Sequence, residues 1–319
     1  MAQIGKDIEK AAELLRNNEI VAIPTETVYG LAGNGLKIET IEKIYAVKNR
    51  PANNPLILHI DSIDKLSNLS THIPQTAIKL AEEFWPGPLT LVLPKKDSVP
   101  DIATAGLKTV AVRIPAHELT LRLLAELDFP LAAPSANLSN RVSPTTAEHV
   151  TCQIGNMIKY ILDGGQCSKG IESTIVGFVD DTPIILRHGA LCIEKIKMVA
   201  GELIVKHDHN TILAPGMSAK HYSPRTRLIA CENIQKELEI LKGLNIAVLT
   251  LSPYWHSLIG SDVYKVSLTN SGDLEEAAYN LFDKLFILDN MNFDCIVAEY
   301  LPNVGLGISI NDRLKRASN

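Results

Sequence analysis

No apolar run in this chain approaches the roughly 18 residues that a transmembrane helix needs, so no helical membrane span is expected. The opening stretch, "MAQIGKDIEKAAELLRNN", carries both charge signs on a helical pattern and has no apolar segment of the kind that marks a secretory signal. The five cysteines (Cys152, Cys167, Cys192, Cys231 and Cys295) are scattered, and none stands in a C-x-x-C pair. That excludes a disulfide framework by pattern and points to reduced thiols in a cytoplasmic protein. Net charge is −5, which argues against a protein that coats nucleic acid through bulk charge, although a local basic patch remains open. Catalytic signatures are missing too. There is no Walker A sequence, no G-x-G-x-x-G opening a helix after a strand, no H-E-x-x-H and no G-x-S-x-G. The "HDH" at 207–209 is the one short cluster of metal-binding residue types, and it reads as a solvated loop.

What is present is alternation. At 319 residues the chain exceeds the size at which a single core usually keeps growing, and two domains are expected. Hydrophobic content of 46% and charged content of 21% are ordinary for a globular protein. Helix patterns over 6–18, 38–49, 73–85, 145–153 and 193–201 alternate with strands such as "PLILHI", "LTLVLP", "TVAVRIP", "STIVGFV" and "PIILRHG". This predicts an α/β domain over 1–204, and the short connections favour a sheet of mixed direction. Residues 205–226 lose periodicity and read as a linker. From 227 to 319 the pattern resumes as strand, helix, strand, strand, helix, strand, helix, a smaller second α/β domain.

Four polar constellations stand out. The first is "PTETVYGLAGNG", a loop with hydroxyls at Thr25, Thr27 and Tyr29, then Gly30, Gly33 and Gly35. It reads either as a turn held by local hydroxyl bonds or as part of a ligand pocket, its glycines letting the backbone turn tightly. In "KNRPANNPL", Lys48 and Arg50 close a helix at Pro51, which suits a solvated helix terminus as well as an anion site. In "AVRIP", Arg113 interrupts an apolar strand and calls for an anionic partner, either a structural salt bridge or a ligand. In "APSANLSNRVSPT", Ser135, Asn137, Ser139 and Ser143 lie between a strand and a helix, where hydroxyls serve phosphates or helix caps equally well. Arg187 ends a further strand, and Glu172, Ser173 and Thr174 start another. Such loops at strand ends suit a small anionic substrate together with a nucleotide.

In order along the chain, "PTETVYGL", "KNRPANNPL", "WPGPLTLVL", "TVAVRIP", "AAPSANLS", "DGG" and "ESTIV" resemble the motifs of the threonylcarbamoyl-AMP synthase family, the YrdC-like proteins. "APGMSAKHYSP" and "GLGISINDRLKRAS" resemble the linker and tail of the longer, two-domain form of that family. The resemblance implies an open twisted YrdC-like sheet followed by a smaller Rossmann-like α/β domain, with 205–226 as linker and lid. It implies a nucleotidyltransferase that makes threonylcarbamoyl-adenylate and pyrophosphate from L-threonine, bicarbonate and ATP. Mg²⁺ would accompany the ATP. The product would go to tRNA threonylcarbamoyl transferase proteins, and the basic concave face of the family leaves room for a weak tRNA contact.

By the same resemblance, Lys48 and Arg50 are the catalytic cations, and with Ser135 and Asn137 they form a K-x-R…S-x-N signature on the ATP phosphates. Ser143, Arg187 and the linker's Tyr222 would complete the ATP side. Thr25, His59, Thr109, Arg113 and Ser173 would bind L-threonine, with the Arg113 fork on its carboxylate. One departure is visible: the family commonly reads R-P-G where this chain has Arg187-His188-Gly189, which implies a looser turn with the arginine kept. Two alternatives are set against this reading. A non-catalytic RNA-binding or nucleotide-binding module is weakened by the net negative charge. A carbamoyl-adenylate domain of the hydrogenase-maturation type would come with an acylphosphatase-like segment and zinc-finger cysteines, and neither is found here.

Overall fold

In the computed structural model, which describes residues 1–205, 221–257, 259–260 and 262–318, the alternating pattern forms two sheets. The larger holds β1 (Gln3–Gly5), β2 (Val21–Ile23), β3 (Gly30–Asn34), β4 (Ile57–His59), β5 (Leu89–Pro94), β6 (Thr109–Arg113), β7 (Leu131–Ala132), β8 (Tyr160–Leu162), β9 (Thr174–Val179), β10 (Thr182–Arg187) and β11 (Ile204–Val205). Its spatial order is β1-β8-β2-β3-β7-β4-β6-β5-β9-β10-β11. Parallel pairs such as β4 with β6 alternate with antiparallel pairs such as β5 with β6, so the sheet is mixed.

Both faces of this sheet are covered at β2, because that strand is apolar at successive positions. In β2, Val21 and Ile23 pack with Ala11, Leu15, Leu123 and Leu124 of helices α1 (Ile8–Arg16) and, further along the chain, Glu118–Ala125. Ala22, between them, faces the opposite layer. That layer is built from α2 (Ile38–Lys48), the short α3 (Leu66–Leu69) and α4 (Gln75–Phe84). Counting on, Glu118–Ala125 is α5, followed by α6 (Ala147–Ile154) and α7 (Ile193–Ala200). The Asp7 carboxylate caps α1 by accepting from the Lys10 N–H at 3.0 Å.

The second sheet is wholly parallel. Strands β12 (Arg227–Cys231), β13 (Ile246–Thr250), β14 (Tyr264–Ser267) and β15 (Cys295–Glu299) lie in the order β12-β15-β13-β14. Its helices are α8 (Ile234–Ile240), α9 (Leu274–Asp289) and α10 (Leu306–Ala317). Ala247, Leu249, Ile296 and Ala298 face α9 and α10, whereas Ile246, Val248, Cys295 and Val297 face α8. Helices on both faces of a parallel sheet make this a doubly wound, Rossmann-like unit. The two domains share packing. Val28, Val142, Ile171, Ala190 and Tyr222 from the first 222 residues belong to the same apolar cluster as Leu281, Phe282, Ile310 and Leu314.

Three local features differ from the sequence reading. Residues 3–5 form a strand parallel to β8, ahead of the first helix. A short helical stretch at 63–69 was not expected. The larger difference is at "GLAGN", which reads as a loop but forms β3, antiparallel to both β2 and β7. Its glycines do not serve turns with left-handed backbone, since none of Gly30, Gly33 and Gly35 has positive φ. They permit close packing instead. A Cβ on Gly33 would stand 2.4 Å from the Thr40 methyl of α2, and one on Gly35 would stand 2.6 Å from Leu58 Cδ2. Residues 206–220, including the "HDH" and most of the linker, lie outside the described residues; the segment from His221 onward is described. Among the described residues, no helix is long and apolar enough to cross a membrane.

Candidate active site

One cavity on the large sheet gathers the chemistry. The C-terminal ends of β4, β6 and β10 deliver His59, Arg113 and Arg187, and the starts of β3 and β9 deliver Gly30 and Ser173 to the same cavity. The loop after β2 adds Thr25 and Thr27, and the residues after β7 add Ser135. The space enclosed is about 50 Å³, room for little more than solvent.

One wall is cationic. Arg50 is aimed by its own loop: Nε donates to the Asn54 carbonyl at 3.0 Å, and Nη2 donates to Asn54 Oδ1 at 2.5 Å and to the Pro55 carbonyl at 2.7 Å. Asn49, at the C-cap of α2, takes the left-handed backbone (φ 49) that turns the chain toward Arg50. Arg187 donates through Nη2 to the Ser173 carbonyl at 2.8 Å and to its hydroxyl at 3.2 Å. Burial lowers the pKa of Arg50 to about 10 and also lowers that of Arg187. Behind them, Lys48 is 1% exposed, and its ammonium donates to the carbonyls of Ser135 and Asn137 at 2.5 Å each. Burial, with Arg50 nearby, holds its pKa well below the usual lysine value. A cluster of buried cations of this kind favours a polyanionic ligand.

A second group of lining residues is organised around Arg113. Its Nε donates to the Gly87 carbonyl at 3.1 Å and its Nη1 to Thr27 Oγ1 at 3.0 Å. Nη2 lies 2.6 Å from Glu26 Oε1, close in distance but not aligned as a hydrogen bond, and both Glu26 oxygens are left without an aligned partner. Thr25 shapes the turn beside it. Its hydroxyl donates to the Val28 carbonyl at 2.7 Å and accepts from the N–H groups of Thr27 and Val28. His59 is buried with Nδ1 unsatisfied, and burial, reinforced by Arg113, lowers its pKa to about 3, so the ring is neutral.

A strap closes the third side. His221 donates its N–H to the Arg316 carbonyl of α10 at 3.2 Å, and Ser223 donates its N–H to the Asn140 carbonyl at 2.7 Å. Tyr222, between them, is fully buried with φ 64, a conformation costly for an aromatic residue unless its surroundings hold it. Its ring is held by Phe282 (centroids 5.6 Å apart) and by the Arg313 guanidinium, 5.4 Å from the ring centroid. Burial keeps His221 neutral, and the cations Arg50, Lys48 and Arg187 add to that effect.

Two family models cover this chain. The model described as telomere recombination, which groups Sua5, YciO and YrdC, matches residues 13–189, and the threonylcarbamoyl-AMP synthase C-terminal domain matches 191–319. The chain belongs to the Sua5 branch of this family. The threonylcarbamoyl-AMP synthase of Pyrococcus abyssi is 42% identical, with 98% of this chain and 94% of the relative covered. That of Bacillus subtilis is 41% identical, covering 98% and 92%. The crystal structure of P. abyssi Sua5 complexed with L-threonine superposes with a TM-score of 0.90 at 40% identity, covering 98% of this chain and 94% of that one.

Of the site residues expected from the sequence, the cavity brings together Thr25, Arg50, His59 and Arg113 with Ser135, Ser173, Arg187 and Tyr222. Four expected residues are not in its wall. Lys48 lies behind it, its ammonium engaged on the Ser135–Asn137 backbone. Asn137 turns inward, its amide donating to the carbonyls of Leu138 and Arg141. Ser143 donates to Glu172 Oε1 at 2.6 Å. Thr109 begins β6, whose other end carries Arg113, so four residues of extended chain, roughly 13 Å, separate them. The sequence reading singled out Thr27 and Glu172 among its polar features without assigning either a ligand, and it gave no role to Glu26 or His221. Glu26 and Thr27 had one signal, their place inside "PTETVYGL" two residues or fewer from Thr25.

Proposed function

We propose that this chain forms threonylcarbamoyl-AMP and pyrophosphate from L-threonine, bicarbonate and ATP. The observation that carries this reading is the pairing, across one cavity, of a carboxylate-type clamp at Arg113 with a cationic wall at Arg50 and Arg187. A guanidinium with one imperfectly satisfied nitrogen suits an amino-acid carboxylate. Arg50 and Arg187 suit a triphosphate. The kinship to threonylcarbamoyl-AMP synthases over nearly the whole chain supports the same substrates.

In this reading the threonine amine and bicarbonate give a carbamate with loss of water. A carbamate oxygen attacks the α-phosphorus of ATP, the bond to the bridging oxygen breaks, and pyrophosphate leaves. The nucleophile belongs to the substrate, so the protein positions reactants and neutralises charge. Mg²⁺ enters as part of MgATP, which suits an ion that keeps much of its water and binds through phosphates. Among the described residues, Glu172 is the one carboxylate in the cavity wall, and it is already engaged. Neutral His59 and Ser173 line the threonine side without adding charge. The His221–Tyr222 strap must shift to admit substrates, then excludes water from the carbamate and the mixed anhydride.

The product would serve transfer to tRNAs that read codons beginning with A, through separate transferase proteins, in a cytoplasmic setting consistent with five free cysteines. The test is a mass spectrum of the product from L-threonine, bicarbonate and MgATP, with pyrophosphate release that requires all three. A folded sample that releases no threonine-dependent pyrophosphate overturns the reading.

A further inference from the structure

Arg313 comes from α10, in the second domain, yet it is one of the most completely buried side chains, at 0% exposure. Its Nε and Nη2 both donate to Glu172 Oε2 at 3.1 Å, a fork on one carboxylate oxygen. The other oxygen accepts from Ser143, so the Glu172 carboxylate is held from both sides. Nη1 of Arg313 donates to the His188 carbonyl at 2.6 Å, one residue beyond Arg187. Ser309, one helical turn before Arg313, donates to the Gly189 carbonyl at 2.8 Å. The guanidinium also lies against the Tyr222 ring. Asp312 Oδ2 stands 3.5 Å from Nη1, so Arg313 faces two carboxylates. Glu172 and Tyr222 both line the cavity. A single side chain of the C-terminal domain therefore touches two walls of the catalytic pocket and the turn that carries Arg187.

We infer that Arg313 is a positioning residue for the ATP side of the site, and that the second domain completes the site by holding the Glu172 carboxylate and the Tyr222 ring. The physical reason is charge. Glu172 is a buried carboxylate on the cavity wall, and its partner Arg313 also holds the turn beside Arg187, one of the arginines that would meet the triphosphate in the function proposed above, on which this inference rests. Paired with Arg313, its charge is compensated in place. Without Arg313, an unpaired carboxylate would face the polyphosphate and repel it, because like charges in a buried site interact strongly. Loss of the guanidinium would also release Tyr222 from one side of its stack.

The test compares Arg313→Gln, alone and with Glu172→Gln, using the full chain. Wild-type protein is assayed first for threonine-dependent pyrophosphate release. Its absence would overturn the proposed function itself, whereas wild-type turnover isolates the inference. The single variant is expected to raise KM for MgATP about tenfold while KM for threonine moves less than about threefold. The double variant, a neutral amide pair, is expected to return KM for MgATP to within about threefold of wild type. A folded single variant with unchanged KM for MgATP overturns the inference. So does a double variant as impaired as the single one, since a merely structural role would not be relieved by neutralising Glu172. Should Arg313→Gln not fold, Arg313→Met, which is equally uncharged, with and without Glu172→Gln, is read by the same two comparisons.

Discussion

Glu26 and Arg113 face each other with Oε1 and Nη2 2.6 Å apart, both side chains nearly sealed from solvent at 5% and 4% exposure. The contact is close but poorly aligned, and the remaining Arg113 donors go to a carbonyl and a hydroxyl. Glu26 thus offsets the guanidinium charge inside the pocket while leaving one of its nitrogens able to turn to another carboxylate. Glu26 is in effect a resident competitor for the substrate's carboxylate.

Arg113→Ala should therefore do two separable things. It leaves Glu26 as an unpaired buried charge, a loss of about 3–5 kcal/mol in stability. It also raises the threonine requirement. Adding Glu26→Gln should recover most of the stability in urea denaturation and none of the threonine affinity. If the pair of substitutions restores KM for threonine, the guanidinium is not the carboxylate ligand.

Lys48 is expected to behave as a support for the Ser135–Asn137 backbone. Lys48→Met leaves two buried carbonyls without their donor, at about 1–3 kcal/mol each. The melting temperature and KM for MgATP should worsen together. Lys48→Arg should not rescue either one, because a guanidinium does not fit a point shared by two carbonyls. Wild-type stability with a loss confined to kcat would instead make Lys48 a direct phosphate contact.

Acid should weaken the fold in a defined window. His59 has a folded pKa of about 3 against 6.5 for an unhindered ring, and that of His221 is also well below 6.5. The unfolded chain therefore binds protons first as pH falls, so this contribution is complete above pH 6.5 and is lost toward the folded pKa near 3. His59 contributes a slope of about 1.4 kcal/mol per pH unit in that range. Chemical denaturation between about pH 6 and pH 4 should show His59→Gln flatter than wild type by about that amount. Parallel curves would mean that His59 is already protonated in the folded protein.

Gly33→Ala is expected to cost about 1–3 kcal/mol through overpacking against α2. Trimming Thr40 to serine in the same chain removes the methyl that a Cβ on Gly33 would strike at 2.4 Å, and should recover part of the loss. A Gly33→Ala protein as stable as wild type would show that β3 and α2 can separate at no cost.

The regular elements of both domains were legible because apolar period and breakers agree, as in α4, which ends at Trp85-Pro86. Strand β3 was not, since Gly-Leu-Ala-Gly-Asn has little intrinsic strand preference and owes its conformation to pairing with β2 and β7. In the site, Arg113 announced itself by breaking an apolar strand. Thr109 did not separate from it, because a linear reading cannot tell the two ends of a short strand apart. Glu172 and Arg313, 141 residues apart, carried no local signal that either would meet the other. Lys48 was legible as important, but whether its amine points into the cavity or behind it depends on the Ser135–Asn137 loop folding across the end of α2.

Val28 sits in the hydroxyl-rich turn that floors the cavity, yet its side chain packs in the cluster formed by α9 and α10. The pocket consequently has no thermal independence. Warming that loosens the C-terminal helices loosens the floor beneath the substrate at the same moment, so heat inactivation and global melting should trace one curve, and a chain cut at the linker would present Val28, Val142 and Ile171 as a bare adhesive patch.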